Sequence, residues 1–456
     1  MTGPATQQPQ SRLPWWRAAA YGSIAMPLAT IGLPLSIYLA PFYSGELGVP
    51  LALLGTAMIV ARLSDVITDP LVGAASDRWR TPWGRRRIWL PLGVAVLLVG
   101  AWRLFLPPEG ADVWHFVIWV SVAYLGFTFT QLPHSAWGGE LSDDYNERTR
   151  IFSIRQAFSL IGLILATALP ALVLSKPGAG AGDVLQALFQ VMVVLLPLCT
   201  LAVIAFTPEP PKAANESQPG LRDTIRIVWR NTPYKLLVVA LFLAYIAETF
   251  RITITLFYAR DVIGVANIGL VYVFYFAVGL AAVPAWSRLA QSLGKHKALG
   301  LALAIVLVTN VSLFFLERGQ EAAFIAIFMV KGFCFGALEL LPAALIADTT
   351  DIDTARSRAR RQGLFFSFMT MTNKIGQAIG QGLSLILLSV IGYTASGETN
   401  PQTLLGMKAL YGLLPLVFLA PAIWLLWRYP FTQARHGRLR SAILRREARL
   451  SPEPIP

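Results

Sequence analysis

Residues 61–90, ARLSDVITDPLVGAASDRWRTPWGRRRIWL, set Arg62, Asp65 and Asp69 in an apolar run and then break into an arginine-rich turn. On a helix these positions, i, i+3 and i+7, fall on one face, with Thr68 on its edge. Two carboxylates one turn apart concentrate negative charge. Leaving one ionised Asp at membrane depth costs on the order of 2.5–3.5 kcal/mol even on the lenient insertion scale, so a pair of them calls for a chemical reason. The chemistry on offer is a bound hard cation such as sodium, which takes oxygen ligands, or a proton whose affinity the neighbouring like charge raises. The alternative is an interhelical clamp neutralised by Arg62 alone.

Other polar residues also lie within apolar runs. Glu248 and Arg251 stand at i and i+3, and Lys331 and Glu339 stand eight residues apart, two turns on similar faces. Either pair reads as a local salt bridge, and Lys331 stays open as a substrate contact. Tyr124, Trp137, Gln377 and Gln381 are aromatic and amide residues of the kind that serve sugar pockets, and also of the kind that packs helix bundles. His115 and His134 have no carboxylate partner in sequence and read as interfacial or turn residues rather than proton relays. Gly376, Gly380 and Gly382 offer close helix approach. Asp77, Arg78, Arg85, Arg86, Glu140 and Arg148 fall in turns, where salt bridges can latch the ends of helices together. Exposed pairs are worth only about 0–1 kcal/mol each, so plain solvated charge is the competing explanation.

What must position these residues is a helix bundle in a membrane. The 456 residues are 55% hydrophobic and 14% charged, with a mean hydropathy of +0.57, too apolar for a soluble chain of this size. About twelve segments reach the roughly 20 apolar residues that a bilayer span needs: 18–43, 50–76, 88–107, 113–138, 150–175, 184–207, 235–258, 266–287, 297–316, 322–347, 364–392 and 405–427. The net charge of +13, from 38 Lys+Arg against 25 Asp+Glu, gathers in alternate turns between spans, which is the positive-inside pattern and not a nucleic-acid surface. Both termini are therefore expected in the cytoplasm, with the first span uncleaved. Cys199 and Cys334 lie in apolar runs and imply neither a disulfide framework nor a metal site.

The segment PEPPKAANESQPG divides the spans into two sets of six, the repeat signature of a major-facilitator transporter. The expected fold is an all-α membrane protein of twelve transmembrane helices. Residues 1–17 form a cytoplasmic N-terminus, 18–207 the first six-helix bundle, 208–234 a cytoplasmic linker, 235–427 the second bundle and 428–456 a basic cytoplasmic tail. That tail is expected to be solvated, with a surface helix on anionic lipid as the alternative. No nucleophile-and-base arrangement or metal-ligand cluster occurs in the spans, so no enzyme is expected, and no cofactor beyond a coupling ion.

The order DxxxDP, Gly, then a D-R turn closing on GRRR resembles the glycoside-pentoside-hexuronide cation symporters of the major facilitator superfamily, the group containing the melibiose symporter. LPHSAWGGELSDDYNERTRIFSIRQAF at 132–158 and LIADTTDIDTARSRARRQGLFFSFMTMTNKIGQAIG at 345–380 strengthen the likeness. The resemblance implies a coupling-cation site of Asp65, Thr68, Asp69 and Thr128, with Lys374 and Arg62 as charge partners. Thr68 stands where the sodium-dependent relative has Asn, which keeps Na+ possible and makes H+ a serious rival. The substrate end departs from the pattern. Two sugar-gripping carboxylates are replaced by Ala29 and Gln131, whereas the arginine is kept as Arg155, a guanidinium suited to anionic or sulfonated groups. The implied function is symport of a sugar or sugar-derived solute by alternating access, by a monomer in the bacterial inner membrane. A lysolipid or other amphiphile is the alternative cargo, and a non-transporting sensor or scaffold the alternative class.

Overall fold

Every one of the twelve apolar runs is helical in the computed structural model, which describes residues 12–79, 81–82, 84–142, 145–209, 226, 229–357, 362–395 and 400–430. No strand occurs among the described residues; an isolated bridge between Thr81 and Gly84 is present. The helices gather into two compact units, Met1–Glu216 with Thr394–Ser396 and Ser217–Tyr393 with Gly397–Pro456.

In unit 1 the first run is bent into α1 (Trp15–Ser23), α2 (Ala25–Ile37) and α3 (Leu39–Gly45). Pro27 and Pro41 each lie in the first turn of the restarted helix, where a missing N–H breaks no intrahelical bond. The remaining helices are α4 (Leu51–Arg78), α5 (Trp89–Phe105), α6 (Val113–Glu140), α7 (Tyr145–Val173) and α8 (Ala181–Phe206). Asp112 caps α6 by accepting the His115 N–H at 3.0 Å. Small residues bring α5 and α6 together: a Cβ on Gly126 would lie 2.3 Å from the Leu97 backbone nitrogen. His134 belongs to the interior and not to an interface or turn. Its ring stacks on Tyr21 with centroids 4.3 Å apart, Nε2 donates to the Tyr21 carbonyl at 2.8 Å, and the Tyr21 hydroxyl donates to the His134 carbonyl at 3.0 Å, which ties α1 to α6.

Unit 2 begins with α9 (Thr232–Phe257), which continues into a π-helical turn at Tyr258–Ile263. It is followed by α10 (Ile268–Leu293), α11 (Lys295–Phe314), α12 (Glu321–Ser357), α13 (Gln362–Val390), α14 (Pro401–Gly412) and α15 (Pro415–Trp427). Asn231 caps α9 through the Tyr234 N–H at 3.2 Å and donates to the Thr349 carbonyl at 2.9 Å. On α13 a Cβ at Gly380 would lie 2.7 Å from the Ile246 carbonyl oxygen of α9, so glycine is what permits that approach.

Leu71, Leu198, Leu201, Val390 and Val417 lie exposed on the helices, the surface expected of a chain whose solvent is hydrocarbon. Among the described residues, ten helical segments are long and apolar enough to cross a bilayer, and the shorter apolar helix Trp89–Phe105 adds to them. The helix α13 has 29 residues, length enough, but Asn373, Lys374, Gln377 and Gln381 dilute its apolarity. This is an all-helical membrane protein.

Candidate functional site

The Arg62, Asp65, Asp69 register of α4 is realised on one helix, and α6 supplies what the register alone lacks. Asp65 is buried at 2% exposure and Thr128 at 1%. Thr128 Oγ1 donates to Asp69 Oδ1 at 3.0 Å, which joins the two helices at the carboxylate. Arg62 Nη1 stands 3.7 Å from Asp65 Oδ2, a loose ion pair. Its guanidinium lies over the Tyr124 ring at 4.1 Å from the centroid, a cation–π contact that holds Arg62 independently of Asp65. Thr68 Oγ1 and Arg62 Nε are buried without a hydrogen bond. Two carboxylates, a hydroxyl already bonded to one of them and a second hydroxyl with unused capacity form an oxygen-rich set. That set can hold a hard monovalent cation or share a proton.

Beyond α4, the arginine turn closes on itself. Arg85 Nη2 donates to Glu140 Oε2 at 2.6 Å and Arg86 Nη2 to Glu140 Oε1 at 2.7 Å, so one carboxylate at the end of α6 receives both. Arg86 Nη1 donates to Ser76 Oγ at 2.8 Å. The backbone N–H groups of Arg85 and Arg86 both donate to Glu209 Oε1, at 2.6 and 3.0 Å, and Arg87 stands 3.6 Å from the same carboxylate. Gly84, with φ of 115°, is required twice: the backbone is left-handed there, and a Cβ would lie 2.6 Å from the Glu209 carboxyl carbon. Of the latch candidates, Arg85, Arg86 and Glu140 meet, whereas the side chains of Asp77, Arg78 and Arg148 lie outside the described residues. Ser76 and Glu209 were not singled out in the sequence. Glu209 falls in a stretch that reads as linker, and only its folded position reveals the role.

The substrate candidates scatter over both units. On α2, Ala29 faces α7, where a Cβ on Gly162 would lie 3.0 Å from its own. Gln131 on α6 and Arg155 on α7 are half-buried, and Arg155 Nε is buried without a hydrogen bond. Trp137 lies nine residues beyond Thr128, about 13 Å along the helix. It is fully buried with its indole N–H on the Pro208 carbonyl at 2.9 Å, and so packs here instead of lining a cavity. In unit 2, Lys374 and Gln377 are half-buried on α13. Lys331 is sealed at 1% exposure. Its Nζ donates to Asn310 Oδ1 at 2.5 Å, so its partner is an amide on α11 and not Glu339. Arg251 pairs with Glu248 as their spacing implies.

The profile of the MFS/sugar transport protein family matches residues 20–433. The chain belongs to this family. Membership agrees with the glycoside-pentoside-hexuronide resemblance carried by the α4 motif, and it makes the protein a transporter and not an enzyme. An uncharacterized symporter of Synechocystis sp. is 26% identical, with 94% of this chain and 96% of the relative covered. The isoprimeverose transporter of Lactiplantibacillus pentosus is 24% identical over 91% of this chain and 88% of its own. The glucuronide carrier protein homolog of Escherichia coli is 23% identical over 88% and 89%. Among solved structures, a bacterial homolog of the human lysosomal transporter Spinster matches with TM-score 0.68 at 12% identity, over 93% of this chain and 100% of that one. A nucleoside transporter matches with TM-score 0.65 at 11% identity, over 91% and 98%. At such identities these two likenesses speak for the fold, the major-facilitator arrangement of helices.

Proposed function

We propose that this transporter is a cation-coupled symporter of a sugar or sugar-derived solute, working by alternating access with Na+ or H+ as the coupling ion. The observation that carries the reading is the α4–α6 constellation, in which Thr128 donates to Asp69 beside the sealed Asp65. A relic without transport has no reason to keep two carboxylates at that depth, given their desolvation cost. The cation is received by Asp65, Thr68, Asp69 and Thr128, with Arg62 as the charge that balances the empty site. The substrate contacts are drawn from Gln131, Arg155 and Tyr124. The relatives' printed names, an isoprimeverose transporter and a glucuronide carrier homolog among them, support a carbohydrate cargo.

In the same reading the protein is a monomer of twelve spans in a bacterial inner membrane, with both termini and the linker in the cytoplasm. The Arg85, Arg86 and Glu140 bridge then latches the cytoplasmic side and exchanges during rocking. One coupled cation contributes about 2.3 kcal/mol per 100 mV of membrane potential, enough for substantial accumulation. The test is Asp69→Asn in proteoliposomes. Accumulation driven by an ion gradient should vanish while the protein remains inserted, and unchanged accumulation would remove Asp69 from the coupling site.

A further inference from the structure

Tyr21 and Gly22, consecutive on α1, hold two other helices of unit 1 by different means. Tyr21 engages α6: its ring stacks on the His134 ring, and each side chain donates to the other residue's carbonyl. Gly22 lies against α7, where a Cβ would stand 3.1 Å from the Arg155 Cα and 3.2 Å from its backbone nitrogen. His134 and Arg155 are thereby brought to one junction, and the Arg155 charge is close enough to act on both the imidazole and the phenol. Two polar atoms are left over there. With Nε2 donating to the Tyr21 carbonyl, the neutral His134 ring keeps Nδ1 as an acceptor, and that atom is buried without a hydrogen bond. Arg155 Nε, which only donates, is likewise buried and unbonded, although Arg155 as a whole is only half-buried. Leaving either atom unsatisfied is costly. Packing alone does not ask for a histidine, because a phenyl ring would keep the stack and the Tyr21 hydroxyl would still reach the backbone carbonyl.

We propose that His134 is a positioning residue for Arg155: its Nδ1 accepts from Arg155 Nε–H, directly or through one bridging water, and so fixes which edge of the guanidinium meets the solute. A guanidinium offers two paired edges, one through Nε and one through the two Nη groups. Engaging Nε withdraws the first and leaves the second, a planar fork that grips two oxygens of one solute, either neighbouring hydroxyls or an acid group. The fork needs an anchor, because a long side chain held only by its stem loses rotamer freedom when the solute binds. His134 itself stays fully buried and does not touch the solute. It lies one turn beyond Gln131 on α6, so the same helix carries one solute contact and orients another that stands on α7.

This inference rests on the reading of Arg155 as a solute contact in a sugar symporter, and the experiment separates the two. Two variants of the full chain split packing from positioning. His134→Phe keeps a ring on Tyr21 and deletes the acceptor; His134→Asn gives up the ring and presents an amide oxygen as acceptor. Counterflow in proteoliposomes is measured with neutral mono- and disaccharides and the matching uronates. Hydrogen exchange of Arg155 Nε–H is followed by NMR, its signal assigned by its loss in Arg155→Lys. His134→Phe should raise both KM for the carried sugar and the Nε–H exchange rate about tenfold or more, the worth of one hydrogen bond to a charged group. His134→Asn should restore most of both, and the cation concentration at half-saturation should stay unchanged in each. Greater damage from His134→Asn than from His134→Phe assigns His134 to packing and overturns the proposal, as does unaltered Nε–H exchange in His134→Phe. Unchanged KM in Arg155→Lys takes Arg155 off the solute, so the positioning role falls while sugar symport stands. A panel of which nothing is carried removes the carbohydrate reading instead, and the exchange rates then decide the link between His134 and Arg155 by themselves.

Discussion

In unit 1 Arg62 and Asp65 stand 3.7 Å apart with the acid sealed at 3% exposure and the arginine more open at 15%. In unit 2 Arg251 closes on Glu248 through two nitrogens, and the exposures are reversed, 1% for the arginine and 26% for the acid. The spacing in sequence is the same, i and i+3, yet the two pairs suit different ligands. A sealed carboxylate held loosely, whose arginine rests on an aromatic face, can exchange that arginine for a small cation or a proton. An open carboxylate held firmly offers a fixed acceptor edge to something larger, and its arginine cannot leave without stranding a charge in a dry interior.

The sharpest way to break this comparison is to remove each acid and measure stability. Glu248→Ala strands a fully buried guanidinium, which should cost about 3–5 kcal/mol. The double change Glu248→Gln with Arg251→Met should recover most of that loss. Asp65→Asn should cost less, because the pair it breaks is long and Arg62 keeps its contact with Tyr124. Thermal unfolding of the purified proteins in detergent decides the matter; losses of equal size would mean that the two pairs do the same job.

Next in size is the hydroxyl that completes the loose site. Thr128→Val preserves volume but deletes the donor to Asp69, a hydrogen bond to a charged group of about 1.5–3 kcal/mol. The cation concentration at half-saturation should rise about tenfold or more, Thr128→Ser should restore it, and substrate KM at saturating cation should not move. Half-saturation unaffected by valine would place Thr128 outside the coupling site and leave the α4 carboxylates without their α6 partner.

The sequence made the helices legible because a bilayer leaves the backbone little choice: every apolar run of span length folds as helix, and the two interruptions in the first run fall where prolines sit. The Arg62, Asp65, Asp69 face was equally plain, since a helical period is a local property. What periodicity could not supply is any contact between helices. Thr128 lies 59 residues from Asp69, and only the family resemblance, not local spacing, links the two. Glu209, the acceptor that organises the arginine turn, was hidden in a stretch whose prolines and polar residues read as linker. Spacing placed Lys331 and Glu339 on similar faces, but Lys331 turns to Asn310 on another helix. His134 shows the same limit: its partners are a ring and a carbonyl on α1, and neither leaves a mark in the local pattern.

The smallest expected effect bears most directly on why the two pairs differ. If the Tyr124 ring keeps Arg62 from closing on Asp65, the aromatic face and not the spacing sets the affinity of the coupling site. A desolvated cation–π contact is worth about 1–2 kcal/mol, and its loss in Tyr124→Leu should let the guanidinium settle on the carboxylate and compete with the cation. Half-saturation should then rise by about twofold to tenfold with maximal uptake preserved. Tyr124→Phe keeps the ring and should leave the cation concentration at half-saturation as in wild type, since no hydrogen bond from the phenol is needed to hold a cation over its face. Tighter cation binding in Tyr124→Leu would mean that the ring pushes Arg62 toward Asp65, and the loose geometry of unit 1 would then need a different cause.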